Sequence, residues 1–591
     1  MLALSLLRGS IATGDLTRFH RLPTLRIPIE GPSTHGKAKI IVEPQPPAKH
    51  GPYLFIAILA ASTFAFFFGL GGLGILGPDE PRYAEVAREM FVSGDYISTR
   101  LCGCLWFEKP ALLYWMSAAA YHALGVNELA ARVPSALAAL ATVALIYWVL
   151  RRLGFTQWAF TASLVVATSG IFVAYARVGV PDMILTASMS ASLLAVPLAI
   201  RASGRTRATY CIVSFFFIGL AVLAKGLVGI ALIVPMVFVY LLLTGQMRSV
   251  RWRDIVIGLI VFLAVAGSWY VPVTLRHGWP FIEDFFLRHH IERYTTNEFG
   301  HPQPVYFFGL VALAGAAPWT FFLIPAFARL RSLRPRQQAR DSLLTLAWIW
   351  LAVPLLFFSF SESKLPGYIL PIFPAIALII GAEVERVLNG VRSRSLAAAL
   401  WTTALLLAGI GIGFILAPAA IANYLHTEPP DISGWRTGLA ALPLAIAVAS
   451  VVVLAARKRR AFVACVTGVI VSLILAAVIL LFPSLRDELS LKSLSLEAAA
   501  ALRPGEKIAF YLKKEFAPVF YAEGRVLCEP KRGTTFYALH QSMLADALES
   551  EGSLVVITDS HWLEGLEGDP RLSTEFIASQ GDALALRVVL K

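Results

Sequence analysis

Residues 205–253 read RTRATYCIVSFFFIGLAVLAKGLVGIALIVPMVFVYLLLTGQMRSVRWR. Between Arg207 and Arg248 the only charged residue is Lys225. A helix rises about 1.5 Å per residue, so about 20 apolar residues cross a hydrocarbon core of about 30 Å. The stretch therefore divides into two spans, 208–224 and 226–244, although they are so nearly continuous that a different split is open. Arginines crowd both outer ends and a lone lysine marks the turn. Cations near span ends are retained on the cytoplasmic side, so the reading is a helical hairpin with both ends inside and Lys225 outside.

The same alternation runs along the whole chain. Thirteen apolar segments can be marked, at about 53–76, 130–150, 157–176, 182–200, 208–224, 226–244, 254–274, 305–328, 342–360, 366–384, 396–418, 436–456 and 461–482. Connections after even-numbered segments hold the arginine groups: Arg151 and Arg152; Arg201, Arg205 and Arg207; Arg248, Arg251 and Arg253; Arg329 to Arg340; Arg386, Arg392 and Arg394; and Arg457 to Arg460. Short connections after odd-numbered segments hold mostly single cations, Arg177, Lys225 and Lys364. One misplaced span would scramble this pattern. The fold class expected is a polytopic α-helical membrane protein of about 13 transmembrane helices, with the N-terminus cytoplasmic and the C-terminus outside.

Composition agrees. Of 591 residues, 57% are hydrophobic and 15% charged, against about a quarter charged in soluble domains, which excludes an ordinary cytosolic, disordered or fibrous chain. The net charge of +13 reflects cytoplasmic loops rather than a nucleic-acid partner, and five cysteines cannot form a disulfide framework. Residues 1–50, basic and proline-bearing with no clear signal-peptide cleavage site, read as a disordered cytoplasmic tail or an over-called start. Residues 51–484 form the membrane domain. Residues 485–591 change character: EKIAFYLKK, RVLCEP, SLVVITD and ALALRVVL read as strands, and LSLEAAAALR and ALHQSMLADALES as helices. A small α/β domain outside the membrane is expected.

Two outward connections are long, 77–129 and 275–304. The first carries GPDEPRYAEVAREMFVSGDY and then CLWFEKPALLYW. From Pro81 it reads as a helix with an acid pair ahead of it and Tyr83, Val86, Ala87 and Met90 on one face, which suits a helix lying on the membrane surface. Taken alone, its charges could be solvated and its aromatics an interfacial belt. Yet Arg177, Asp182, Lys225 and Lys364 also sit at the outer edges of apolar spans, and the second loop adds Glu283, Asp284, Arg288, His289, His290, Glu292, Arg293 and His301. Charges at membrane depth are costly and normally face a protein interior or wet cavity. Such a rim suits a lipid-linked anion, with Arg and Lys on its phosphate and a carboxylate as base.

DEPRYAEVAREMFVSGDY, WFEKPALLYW, KGLVG and SKLPGYILPIFP, in order over about residues 53–385, resemble the aminoarabinose transferase and protein mannosyltransferase group of GT-C membrane glycosyltransferases. The resemblance implies a GT-C fold and an inverting transfer of a sugar from a polyprenyl (undecaprenyl) phosphate to an acceptor at the outer face of a bacterial inner membrane. The acceptor would be lipid A or another glycolipid, or, alternatively, a protein Ser/Thr. It implies that Asp79 is the catalytic carboxylate, that Lys109 contacts the lipid phosphate with Arg82 and Tyr83 in the same cavity, and that Asp182, Lys364 and Tyr368 belong to matching blocks. Ala111 departs from the KPP that many relatives carry. Glu80, Glu108, Lys225, His290 and Arg293 complete the expected binding set.

Several signals stay divided. Glu108 could be a second carboxylate of the site or an ion-pair partner of Lys109, and Lys225 could pair structurally with Asp182. His289-His290-x-Glu292 invites a divalent metal, but adjacent helical histidines point about 100° apart and no HExxH spacing occurs, so no cofactor is assigned. Cys102 and Cys104 lie outside with Cys528, where a CxC bridge and free thiols are both open. The absence of a glycine-rich phosphate loop argues against nucleotide donors. A transporter or flippase of lipid-linked sugars is the competing class, but it would carry midplane charges and paired broken helices.

Overall fold

The structure is a computed structural model that describes residues 51–292, 302–425, 435–483, 490–513, 515–529 and 534–591; they fall in one compact unit, Ile40–Lys591. The expected tail 1–50, Arg293 and the side chain of His290 lie outside the described residues.

Among the described residues, nine helices are long and apolar enough to cross a membrane. Two bent pairs join them: Thr156–Thr168 with Gly170–Ala176, bent by 66°, and Phe307–Gly315 with Thr320–Leu330, bent by 110°. Two shorter apolar helices, Tyr53–Phe67 and Val228–Leu243, complete an ordered match to the thirteen apolar segments. The fifth and sixth segments are separate helices. The first of them ends at Lys225, and Gly226 turns the chain at a φ of 75°, in the left-handed region that glycine enters without strain.

The first apolar segment is shorter than the sequence suggests. Its helix ends at Phe67, and the glycine-rich run GLGGLGILG that follows is irregular. Each glycine in a helix costs about 1 kcal/mol relative to alanine. Here the freed carbonyls have a partner: Arg132 donates from Nη1 to Leu70 O and Leu73 O, both 2.9 Å, and from Nη2 to Gly74 O at 2.8 Å.

Contacts show which connections share an end of the bundle. Arg201 donates to Leu153 O, Arg207 pairs with Asp254, Arg336 donates to Leu243 O, Arg329 and Arg340 pair with Glu383 and Glu385, and Arg459 donates to Val387 O and Val391 O. These bonds link the even-numbered connections to one another. At the other end Glu80 pairs with Arg132, Asp182 with Lys225 and Asp95 with Arg276. The up-and-down alternation is thus built as read.

The C-terminal domain holds the main sheet. Two residue pairs near the bundle, β1 (Arg100–Leu101) and β2 (Cys104–Leu105), form a small hairpin. The domain adds β3 (Lys507–Tyr511), β4 (Cys528–Glu529), β5 (Thr534–Thr535), β6 (Tyr537–Ala538), β7 (Ser553–Asp559), β8 (Leu572–Gln580) and β9 (Ala583–Leu590). Its five-stranded sheet has the order β6-β3-β7-β9-β8. β3 runs parallel to β6 and β7, and β9 is antiparallel to β7 and β8. Helices Lys492–Ala501 and Gln541–Glu551 match the expected ones, whereas β8, polar along much of its length, was not anticipated. The domain docks on the end that carries the first long loop. Tyr521 donates to Glu128 Oε1 and accepts from Ile75 N, both at 2.9 Å, Lys492 pairs with Glu128, and Cys104 is disulfide-bonded to Cys528. The CxC pair therefore does not bridge itself.

Candidate functional site

The helix Asp79–Ser93 organises the site. Pro78 precedes it and Pro81 falls in its first turn, where a missing N–H costs nothing. Asp79 and Glu80 occupy the positive end of its dipole. Gly94, at a φ of 71°, closes it by donating to Met90 O. Tyr83, Val86, Ala87 and Met90 do share a face, but they are buried inside the protein rather than laid on a membrane surface. The helix packs on Leu112–Leu124 and on the C-terminal domain, which supply the apolar cover that lipid was expected to give.

Glu80 fixes this helix to the bundle. Its carboxylate accepts from Arg132 Nε at 2.7 Å and Nη2 at 2.8 Å, from Leu76 N at 2.9 Å and from Gly179 N at 2.7 Å. With the three loop carbonyls, all five Arg132 donors are used, and both Glu80 oxygens accept two bonds. Glu80 touches the cavity wall, but its lone pairs are already taken, so it holds the loop instead of a ligand.

One residue earlier, Asp79 opens a row of alternating charges. Arg82 pairs with Asp79 and, at 3.4 Å, with Glu108, and it donates from Nε to Pro78 O at 2.9 Å. Lys109 pairs with Glu108 at 2.9 Å. Asp79 is the most accessible of the four side chains, at 35% against 6% for Glu108. Tyr83 is wedged between Trp106 and Tyr114, with ring centroids 6.0 and 6.2 Å away. Burial pushes its phenol well above the usual range, and the carboxylates of Asp79 and Glu108 push the same way, so the hydroxyl stays protonated.

A second pair lines the same cavity. Asp182 begins one helix and Lys225 ends the next. Antiparallel neighbours place a positive and a negative dipole end side by side, and each carries the complementary charge. Lys225 lies 2.5 Å from Asp182 and 4.8 Å from the Tyr368 ring centroid.

These groups surround a cavity of about 680 Å³ lined by Asp79, Tyr83, Glu108, Lys109, Asp182, Lys225 and Tyr368. Its remaining wall is largely apolar, with Leu227, Val228, Ala231, Phe357 and Phe358. Lys364 is not among the lining residues: it is buried and donates to Ser361 O, one residue of that wall, so it shapes the loop. Tyr175 lines the cavity without having been expected there; the 66° bend brings its short helix to the wall. A Cβ on Gly367 would stand 2.8 Å from Tyr175 Oη and 3.0 Å from Asp182 Oδ1, so glycine permits this approach. Among the described residues no group of three His, Cys, Asp or Glu is placed to hold a metal ion.

The family described as dolichyl-phosphate-mannose-protein mannosyltransferase matches residues 108–270, which include Glu108, Lys109, Asp182 and Lys225. An undecaprenyl phosphate-α-4-amino-4-deoxy-L-arabinose arabinosyl transferase of Pseudomonas fluorescens (strain Pf0-1) is 31% identical over 55% of this chain and 58% of its own length. Its counterpart in Sodalis glossinidius (strain morsitans) is 29% identical over 62% and 66%. The chain thus spans less than two thirds of the length of these relatives. The crystal structure of ArnT from Cupriavidus metallidurans bound to undecaprenyl phosphate is 24% identical, with a TM-score of 0.74 over 91% of this chain and 98% of that one.

The chain is similar in sequence to the aminoarabinose transferases and, over residues 108–270, to the protein mannosyltransferases, and it shares the GT-C fold of ArnT. The structural likeness covers 91% of this chain, against 55% and 62% for the two sequence matches. Within this GT-C bundle the charged residues of four sequence blocks meet at one cavity: Asp79, Glu108 and Lys109, Asp182, and Lys225. Arg82, expected in the same cavity, is not among its lining residues and reaches it through its ion pairs with Asp79 and Glu108.

Proposed function

We propose that the protein is an inverting glycosyltransferase that moves a sugar from an undecaprenyl phosphate donor to an acceptor at the outer face of the inner membrane. The observation that carries this reading is one cavity lined both by two sets of cations and carboxylates and by a run of apolar residues. A lipid phosphate needs both. Leu227, in the apolar lining, is 44% exposed, and in this reading a polyprenyl chain enters beside it. The resemblance of the donor chemistry rests on the arabinosyl transferases, whose names specify undecaprenyl phosphate-4-amino-4-deoxy-L-arabinose.

In this reading Lys109 and Arg82 hold the donor phosphate and stabilise the charge it gains as the glycosidic bond breaks. Fixed cations are most effective where water is scarce. Asp79, the most accessible carboxylate of the row, takes the proton from an acceptor hydroxyl, or orients an acceptor phosphate that is already ionised, as that oxygen attacks the anomeric carbon from the face opposite the donor phosphate. General-base assistance of this kind is worth about 10²–10⁴-fold. Glu108 spaces Arg82 and Lys109 and keeps both charged groups oriented. Asp182 and Lys225 line the same cavity, and the Tyr368 ring lies against Lys225. His290 and Arg293, on the second long loop, complete the binding set of this reading; Arg293 and the side chain of His290 lie outside the described residues.

The acceptor is read as lipid A or another glycolipid. A protein Ser/Thr acceptor is the second reading, favoured by the mannosyltransferase match over residues 108–270. The outer placement of this end is supported by the Cys104–Cys528 bond, since disulfides persist in oxidising compartments.

The test is transfer in proteoliposomes from undecaprenyl phosphate-4-amino-4-deoxy-L-arabinose to lipid A, with a Ser/Thr peptide in parallel. Sugar on lipid A confirms the first reading and sugar on the peptide the second. No transfer to either, with donor flipped across the bilayer, establishes the transporter instead.

A further inference from the structure

The first long loop and the C-terminal domain are joined along a line of contacts that begins at Arg82. The Phe516 ring centroid lies 4.9 Å from the Arg82 guanidinium carbon, and that of Trp106 lies 5.8 Å from it. Both distances fall within the range of cation–π attraction. Phe516 leads into the short helix Ala517–Tyr521, whose far end is bound through Tyr521 to Glu128 and Ile75 N. Beyond it, Glu523 O accepts from Arg88 Nη2 at 2.6 Å. A Cβ on Gly524 would stand 2.4 Å from Glu85 Oε1, so the backbone there is pressed onto the same helix. Cys528 is then bonded to Cys104, in the hairpin that runs directly into Trp106, Glu108 and Lys109.

The segment 516–528 therefore follows the helix Asp79–Ser93 from its first turn and ends on the strand that feeds the second half of the charged row. Packing alone would be served by any apolar residue at position 516. Instead an aromatic face covers the guanidinium that pairs with both Asp79 and Glu108. When a donor phosphate draws Arg82 from these carboxylates, its ion-pair partners change and its aromatic walls do not.

We propose that Phe516 of the C-terminal domain is a positioning residue for Arg82, held in place by the Cys104–Cys528 bond, so that this domain is a working part of the donor site. The proposal rests on the transferase reading above and extends it to a residue in a different domain.

The experiment compares wild type with Phe516→Leu and Phe516→Trp in the purified, disulfide-intact protein, with initial rates measured against donor and acceptor separately. A cation–π contact of the usual strength predicts that Phe516→Leu lowers kcat/KM for the donor by about two- to thirtyfold. The acceptor KM should stay unchanged, Phe516→Trp should recover most of the loss, and melting temperature should match in all three. Phe516→Met replaces the leucine variant if the latter fails to fold. Undecaprenyl phosphate binding, read on the same proteins, carries the test if a different sugar is used. Equal donor kinetics in wild type and Phe516→Leu, or equal impairment in the leucine and tryptophan variants, overturns the positioning role and leaves the transferase reading standing. A wild-type protein that neither transfers nor binds undecaprenyl phosphate removes the reading beneath it.

Discussion

Removing the Glu80 carboxylate should damage the protein by unseating Arg132, and the damage should be partly reversed by removing Arg132 as well. Arg132 is 3% exposed and Glu80 1%, so neither charge can turn to water. In Glu80→Leu the guanidinium keeps its three carbonyl partners at 2.8–2.9 Å but loses two charge-assisted bonds and its counter-charge. Breaking a buried pair by deleting one partner costs about 3–5 kcal/mol, whereas replacing both partners by apolar groups is often neutral or stabilising. The double variant Glu80→Leu/Arg132→Leu then frees the carbonyls of Leu70, Leu73 and Gly74, which returns part of the cost. It should melt below wild type and above Glu80→Leu. Thermal unfolding in detergent, followed by tryptophan fluorescence, reads the order directly. A Glu80→Leu protein that melts with wild type, or a double variant less stable than the single one, would refute the argument that this network seats the loop before Asp79.

Lys109→Ala should weaken undecaprenyl phosphate binding by about ten- to a hundredfold, the range for a hydrogen bond to a charged group; equal affinity by calorimetry removes Lys109 from the phosphate site. Burial pushes the Glu85 carboxyl from 4.5 up to about 8 against the opposing pull of Arg88. The folded protein thus holds this proton more tightly than the unfolded chain. Stability from Glu85 is fully present below about pH 4.5 and is lost as pH rises through 8, by at most about 1.4 kcal/mol per pH unit. Melting temperature should fall between pH 6 and 8.5 more steeply in wild type than in Glu85→Gln, and equal slopes contradict it. Single cysteines at exposed positions in Ser332→Cys and Ser542→Cys should react with an impermeant thiol reagent from opposite sides of the membrane; labelling from one side breaks the topology.

The helical framework was legible because each apolar segment carries its own signal and the arginine groups punctuate them. What the sequence concealed depends on distant partners. Hydropathy alone extends the first span to residue 76, since it does not register that the carbonyls of 70–74 are bound by Arg132. The bends after Thr168 and Gly315 are invisible in continuously apolar runs, and with them the approach of Tyr175. At the site, Asp182 and Lys225 stood out because charges at span edges are rare, whereas Asp79 and Lys109 were singled out by the family resemblance of the blocks that carry them. Glu80 was drawn into the binding set by its place in the same block as Asp79, yet its four hydrogen bonds come from Leu76, Arg132 and Gly179, which no local pattern pairs with it. Arg132 could have been flagged as a lone cation inside an apolar span, which requires a buried partner. Phe516 and the pairing of Cys528 with Cys104 had no signal, since 424 residues separate the bonded cysteines. Lys364 matched a motif whose role in the described structure is to hold Ser361.

The central claim is that Asp79 drives sugar transfer from a polyprenyl phosphate. Its most direct test is mass spectrometry of lipid and protein extracts from cells expressing wild type or Asp79→Asn at equal levels. The account predicts a sugar-sized mass on a glycolipid in wild type that is absent with Asp79→Asn, while the variant melts like wild type. The same modification in both strains, or in neither, would contradict it.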